Sequence, residues 1–134
     1  MSIPTITIDG DRISGKTHAA IAVATTDAAD GRQVLATTRS SAAATELFHQ
    51  AARMIPTQKI AKAIRSCGQQ RIELNSGGGR IYFRTRTATS CRGVDVDTLI
   101  LDEWDYDDSI FETLIPSLFA SNDPRIVISK QADR

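Results

Sequence analysis

The chain has 134 residues, 41% of them apolar and 24% charged, the composition of one globular domain spanning 1–134 rather than of a disordered chain. Sixteen basic and sixteen acidic residues give a formal net charge of zero, so wholesale basicity is no argument for nucleic-acid binding. Apolar runs of only a few residues exclude a membrane span, and the start MSIPTITIDGD lacks the basic and apolar regions of a secretory signal.

The pattern predicts a first strand over Thr5–Asp9, with Pro4 tolerated at its start. An Ala-rich helix follows over about Gly15–Ala28, and Ala29-Asp30-Gly31 reads as its stop. Gln33–Thr37 is a short buried strand. Ser40 or Ser41 caps a second helix, in which Leu47, Phe48, Ala51, Met54 and Ile55 form an apolar stripe, and Pro56 ends it. A third helix is expected over Thr57–Ser66, with Ile60, Ala63 and Ile64 on one face and Gly68 as its stop. Arg71–Asn75 and Arg80–Arg86 alternate with period two around Ser76–Gly79, a β-hairpin. Thr98–Leu101 is a continuous apolar run, the pattern of a parallel strand buried on both faces. Asp107 or Asp108 caps a further helix with Ile110, Phe111, Leu114, Ile115, Leu118 and Phe119 on its apolar face, kinked at Pro116. Arg125–Ser129 is the last strand. Strands alternating with helices give an α/β fold.

Charge is unevenly spread along these elements. From Arg53 to Arg92 the chain carries Arg53, Lys59, Lys62, Arg65, Arg71, Arg80, Arg84, Arg86 and Arg92 against Glu73 alone. From Gly93 to Asp123 every charge is acidic: Asp95, Asp97, Asp102, Glu103, Asp105, Asp107, Asp108, Glu112 and Asp123. Two solvated faces that pair with each other within the fold are one reading; a basic surface for phosphate or DNA beside an acidic metal site is the other. Cys67 and Cys91 are too few and too isolated for a metal cage. They can form one disulfide, but two reduced thiols in a cytosolic protein is the favoured reading.

Gly10-Asp11-Arg12-Ile13-Ser14-Gly15-Lys16-Thr17 fits G-x-x-x-x-G-K-[ST] at every position, between a predicted strand and a predicted helix. Gly10 and Gly15 let the backbone approach a ligand closely, so that N–H groups point at phosphate oxygens over a helix N-terminus. Lys16 reaches the β- and γ-phosphates, and the Thr17 hydroxyl is a Mg²⁺ ligand. Arg12 either contacts the γ-phosphate or is a loop arginine that faces solvent or pairs with Asp11. Leu99-Ile100-Leu101-Asp102-Glu103 is an apolar strand that ends in two carboxylates. Asp102 there suits Mg²⁺ held through water, and Glu103 suits the base that polarises attacking water. Each motif gains its weight from the other.

With these residues in place, the sequence resembles the ATPase domain of phage terminase large subunits, the motors that package DNA into proheads. The resemblance runs from the phosphate loop to the end and is most specific in IELNSGGGRIYFRTRTATSCRGVDVDTLILDEW. That stretch is similar to the family's hairpin with a Gly turn, its Arg-Gly pair (here Arg92-Gly93) and its Asp-Glu on a strand. SLFASNDPRIVISK is similar to the helix, loop and strand leading to the ATP-coupling motif, which in the family begins Ser-Thr or Thr-Thr; Ser129-Lys130 departs from that pattern. The resemblance implies a three-layer P-loop NTPase-like fold with a mostly parallel sheet, helices on both faces and an inserted hairpin. It also implies that the last strand lies between the phosphate-loop strand and the Asp102 strand.

The leading expectation is therefore a minimal terminase-like P-loop domain that binds ATP and Mg²⁺, a poor ATPase on its own, phage-encoded and working in the host cytoplasm. The family's segment before the phosphate loop, its further strand, lid and nuclease domain have no counterpart in these 134 residues. Weak discrimination between ATP and GTP follows as an expectation, as does self-association or a protein partner, with Arg92 or Arg12 completing a neighbour's site. Double-stranded DNA is a further expected partner. One alternative is a domain that binds nucleotide weakly and acts by contacting a phage or host protein. Another is a helicase-like nucleic-acid module.

Overall fold

A computed structural model of the chain describes residues 3–8, 13–66, 69–75, 77–87, 91, 93–104 and 112–130; for 13–17, 103, 104 and 130 it describes the backbone alone. Along the chain run β1 (Thr5–Ile8), α1 (Ile13–Ala29), β2 (Gln33–Thr38), α2 (Ser41–Met54), β3 (Ile60–Ile64), β4 (Arg71–Leu74), β5 (Arg80–Thr85), β6 (Thr98–Trp104) and β7 (Arg125–Lys130). The strands form one sheet in the order β1-β7-β6-β2-β5-β4-β3. The pairs β1–β7, β7–β6, β6–β2 and β2–β5 are parallel; β4 is antiparallel to both β5 and β3. The last strand thus lies between β1 and β6, as the resemblance implies.

The two sides of the sheet follow from the pleat, which sends alternate side chains to opposite faces. On one face Ala20, Ile21, Ala24 and Ala28 of α1 and Leu47, Phe48 and Ala51 of α2 pack on Val34, Ile81, Phe83, Ile100 and Val127. The small side chains of α1 allow close approach, and Phe48 meets Phe83 edge-on at 5.6 Å. On the other face Leu35, Leu99, Leu101, Ile126 and Ile128 pack under Cys91, Val96, Leu114 and Leu118. Covered on both sides, Leu99, Ile100 and Leu101 are at most 2% exposed, which explains their unbroken apolar run. Ser40 caps α2 by accepting the Ala43 N–H at 3.1 Å.

Two expected helices need correction. Thr57–Lys59 is a single 3₁₀ turn, and Ile60–Ile64 is a strand at the sheet edge, antiparallel to β4. The helix expected from Asp107 or Asp108 to Phe119 is described only from Glu112: one α-helical stretch to Leu114, then a 3₁₀ turn over Ile115–Leu118 that contains Pro116. Asp107, Asp108, Ile110 and Phe111 lie outside the described residues. Phe119 is 70% exposed and does not belong to the apolar face. No helix among the described residues is long and apolar enough to cross a membrane.

At the amino ends of the central strands, polar side chains tie the layers together. Asp27 of α1, 4% exposed, accepts the Thr98 hydroxyl at 2.8 Å and pairs with Arg125 at 3.1 Å. Arg32 donates to the carbonyls of Asp97 and Asp123 at 2.7 Å each. Asp97 in turn accepts the Gln33 N–H at 2.9 Å and the Ser121 hydroxyl at 2.7 Å.

Candidate nucleotide site and basic ribbon

Five parallel strands, β1, β7, β6, β2 and β5, bring their carboxyl ends to one edge, where open α/β sheets take ligands. β1 ends at that edge with Ile8 and α1 begins at Ile13, so the N-terminus of α1, with its partial positive charge, faces the same space. Gly10, Asp11 and Arg12 lie outside the described residues. Ile13, Ser14, Gly15, Lys16 and Thr17 form the first turns of α1, their side chains outside the description. The helix therefore begins two residues before the expected Gly15.

Asp102 is 3% exposed and lines a small interior cavity with Ala20, Ala24, Ile100 and Phe83. Its carboxylate therefore lies on the side of the sheet that carries α1. Glu103 follows it in β6. Ser129, 1% exposed, stands opposite Ile8 in the β1–β7 register and shares the α1 side with Val127 by alternation. The fold thus gathers the start of α1, Asp102 and Ser129 on one edge and one side of the sheet. Arg92, Asp105 and Cys67 lie outside the described residues; Cys91 is a free, buried thiol whose pKa burial pushes up.

Arg86 and Thr37 belong to this edge too, and the sequence alone gave them no place there. Arg86 Nη1 donates to the Thr37 carbonyl at 3.0 Å and to the Asp102 carbonyl at 2.8 Å. The Thr37 hydroxyl donates to the Ile100 carbonyl at 2.9 Å. The one available signal was position: Arg86 directly follows a strand that ends at the ligand edge.

A second feature lies on the β3–β5 ribbon, on the face opposite α2. By alternation and register that face carries Lys62, Arg71, Glu73, Arg80, Tyr82 and Arg84. Arg71 pairs with Glu73 at 2.8 Å and Arg80 pairs with it at 3.7 Å. The Arg71 hydrogen bond, with the charges of Arg80 and Lys62, holds the Glu73 carboxyl below its usual range. Arg84 sits 5.5 Å over the Tyr82 ring, and burial pulls its pKa below the ordinary arginine value. Asp123 of the acidic run lies away from this patch and pairs with Arg32 and Arg125 at the far end of the sheet.

No protein-family profile matches the chain, and no curated protein matches it. Solved structures do. The HK97 bacteriophage large terminase superposes with a TM-score of 0.80 at 13% identity, over 97% of this chain and 29% of that one. The ATPase domain of a Thermus phage large terminase gives 0.67 at 19% identity, over 94% and 58%. A large terminase of a thermophilic bacteriophage, solved in complex with ADP, gives 0.71 at 15% identity, over 95% and 33%. The Phi-29 viral genome packaging motor assembly gives 0.61 at 13% identity, over 98% and 44%. The chain thus spans between about a third and somewhat over half the length of these proteins, and its fold is the one that phage large terminases use for their ATPase domain.

Proposed function

We propose that the chain binds ATP with Mg²⁺ on the Gly10–Thr17 loop, hydrolyses it, and works as the ATPase domain of a phage DNA-packaging motor in the host cytoplasm. One observation carries most of this: the complete G-x-x-x-x-G-K-[ST] sequence starts after β1 and runs into the first turns of α1, and the buried Asp102 of β6 lies on the side of the sheet that holds α1. The terminase fold supports it further.

In this reading the loop N–H groups and the start of α1 hold the phosphates, and Lys16 reaches the β- and γ-oxygens. Mg²⁺ fits the residues present, because a threonine hydroxyl and one buried carboxylate, Thr17 and Asp102, are hard oxygen donors. Held by Thr17 and Asp102, the ion would offset the negative charge of the phosphate oxygens. Glu103 takes a proton from the attacking water as the water oxygen bonds to the γ-phosphorus. The bond to the departing ADP oxygen breaks and leaves its electron pair on ADP. Arg12 adds positive charge to the γ-phosphate, and Ser129 is the residue through which the nucleotide state passes to β7. Self-association or a protein partner belongs to the same reading, since a neighbour of this fold is a motor assembly.

The ribbon face is the proposed contact for double-stranded DNA. Lys62, Arg71, Arg80 and Arg84 around one carboxylate suit a phosphate backbone and no particular base sequence. Calorimetry decides the nucleotide part. MgATP is expected to bind the chain and to lose binding in Lys16→Ala; no heat with the wild type, or equal binding by both, would overturn it.

A further inference from the structure

The ladder between β2 and β6 runs in register from Val34–Thr98 to Thr37–Leu101 and stops there. Between β6 and β7 the register slips. Leu101 stands opposite Ile128 and Trp104 opposite Lys130, so β6 takes three steps where β7 takes two. One extra residue therefore sits at Asp102–Glu103. Such a bulge re-aims side chains and interrupts the ladder that would otherwise hold the backbone.

Arg86 grips the strand at this point. Its own N–H donates to the Thr38 carbonyl at 2.9 Å, which anchors it to the end of β2. Its guanidinium then reaches past β2 to β6: Nη1 donates at 3.0 Å to the Thr37 carbonyl and at 2.8 Å to the Asp102 carbonyl. The Asp102 carbonyl and the Glu103 N–H belong to one planar peptide unit. A donor that holds the carbonyl therefore fixes the plane from which the Glu103 Cα departs. A guanidinium does this well, because its donors lie in a rigid fork.

We propose that Arg86 is a positioning residue: it locks the Asp102–Glu103 bulge and so sets the direction of the Glu103 carboxylate. The inference rests on Glu103 being the base. It makes no use of contact between Arg86 and nucleotide.

The test compares wild type, Arg86→Met, Arg86→Lys and Glu103→Gln. Methionine keeps much of the stem and removes the donors; lysine keeps the charge and loses the fork. Trp104, the chain's one tryptophan, directly follows Glu103, and its near-UV circular dichroism and emission report on the bulge without any need for turnover. Arg86→Met is expected to lower kcat about 10- to 100-fold with KM for ATP unchanged, to alter the Trp104 spectra, and to regain part of both in Arg86→Lys. Unchanged Trp104 spectra in Arg86→Met overturn the proposal whatever the turnover. So does a KM that rises while kcat holds, which would make Arg86 a binding residue. Normal turnover in Glu103→Gln would remove the base assignment itself; the Trp104 spectra of Arg86→Met would still decide whether Arg86 holds the bulge.

Discussion

Gly79 donates its N–H to the carbonyl of Ala28 at 2.7 Å, which docks the hairpin turn on the last turn of α1. That carbonyl is one of those a helix end leaves without an intrahelical partner. At 17 residues, α1 is about 25 Å long. One element therefore runs from the ligand edge of the sheet, at Ile13, to the turn that leads into the basic ribbon.

The contact leaves no room for a side chain. A Cβ on Gly79 would lie 1.8 Å from the Arg32 carbonyl oxygen and 2.6 Å from its carbon, both backbone atoms. Gly79→Ala should cost about 1–3 kcal/mol or more. Gly77→Ala is the control: its φ of +80° strains an L-residue, yet nothing lies within 4 Å of the new methyl. Only the left-handed backbone is penalised there, at about 1–2 kcal/mol. Thermal unfolding followed by circular dichroism should show the larger drop for Gly79→Ala; the reverse order would mean that the turn does not pack against Gly31–Arg32.

Acid should expose the network at the other end of the sheet. Burial opposes the charge on Asp97, but the Gln33 N–H, the Ser121 hydroxyl and Arg32 outweigh it and hold the carboxyl below its usual range. A folded-state pKa below the unfolded value of about 3.9 stabilises the fold above that pH, and the gain is lost as pH falls through the folded value. Asp97→Asn presents an amide to two donors and should lose about 1–3 kcal/mol at pH 7. The gap from wild type should narrow once pH falls below about 4. Urea midpoints across pH 3 to 7 would check both parts, and a gap that stays constant with pH would discount the ionised carboxylate.

The G-x-x-x-x-G-K-[ST] motif is readable in the sequence because its eight residues are contiguous and need no partner to be read. Ile60–Ile64 was misread for the opposite reason. Ile60, Ala63 and Ile64 fit helical spacing, and what makes the segment a strand is pairing with β4, Ala63 opposite Ile72, which local periodicity does not encode. Its exposed Ala61 and Lys62 suit an edge, where strong β-formers are not required. The apolar face assigned near Pro116 overran because the 3₁₀ turn ends at Leu118 and leaves Phe119 in solvent. Arg86 was counted as one charge in a basic run. Its contact depends on a bulge and on a carbonyl 16 residues away, and neither leaves a mark in the spacing.

Glu103→Gln tests the chemistry proposed for the ligand edge. Glutamine keeps the shape of the side chain and cannot accept the proton of water. Nucleotide affinity should persist and ATP turnover should fall about 10²- to 10⁴-fold. Steady-state turnover beside equilibrium binding of a fluorescent ATP analogue separates the two effects. Turnover equal to wild type would remove Glu103 from the reaction, whereas loss of binding would give it a structural role instead.

The outer edge of β1 sets the last expectation. β1 pairs with β7 along its whole length, Thr5–Ile126 to Ile8–Ser129, and lies at the end of the described sheet. Thr5, Ile6 and Thr7 are exposed, Ile6 at 47%. An exposed strand edge with an apolar side chain is a template for pairing with a second chain. Pro4 blunts only its beginning, because proline lacks an N–H to offer. We expect the 134-residue chain to associate reversibly as its concentration rises. Ile6→Lys puts a charge on that edge and should suppress the association. It should shift folding stability by no more than about 0.5 kcal/mol, since the side chain it replaces is already half in water. Light scattering over a concentration series is the measurement, with ATP turnover read in parallel. If neighbouring chains complete each other's sites, turnover per chain rises with mass in the wild type and stays flat in Ile6→Lys. A wild type that keeps monomer mass at every concentration would defeat the idea, and so would a lysine variant that associates equally well.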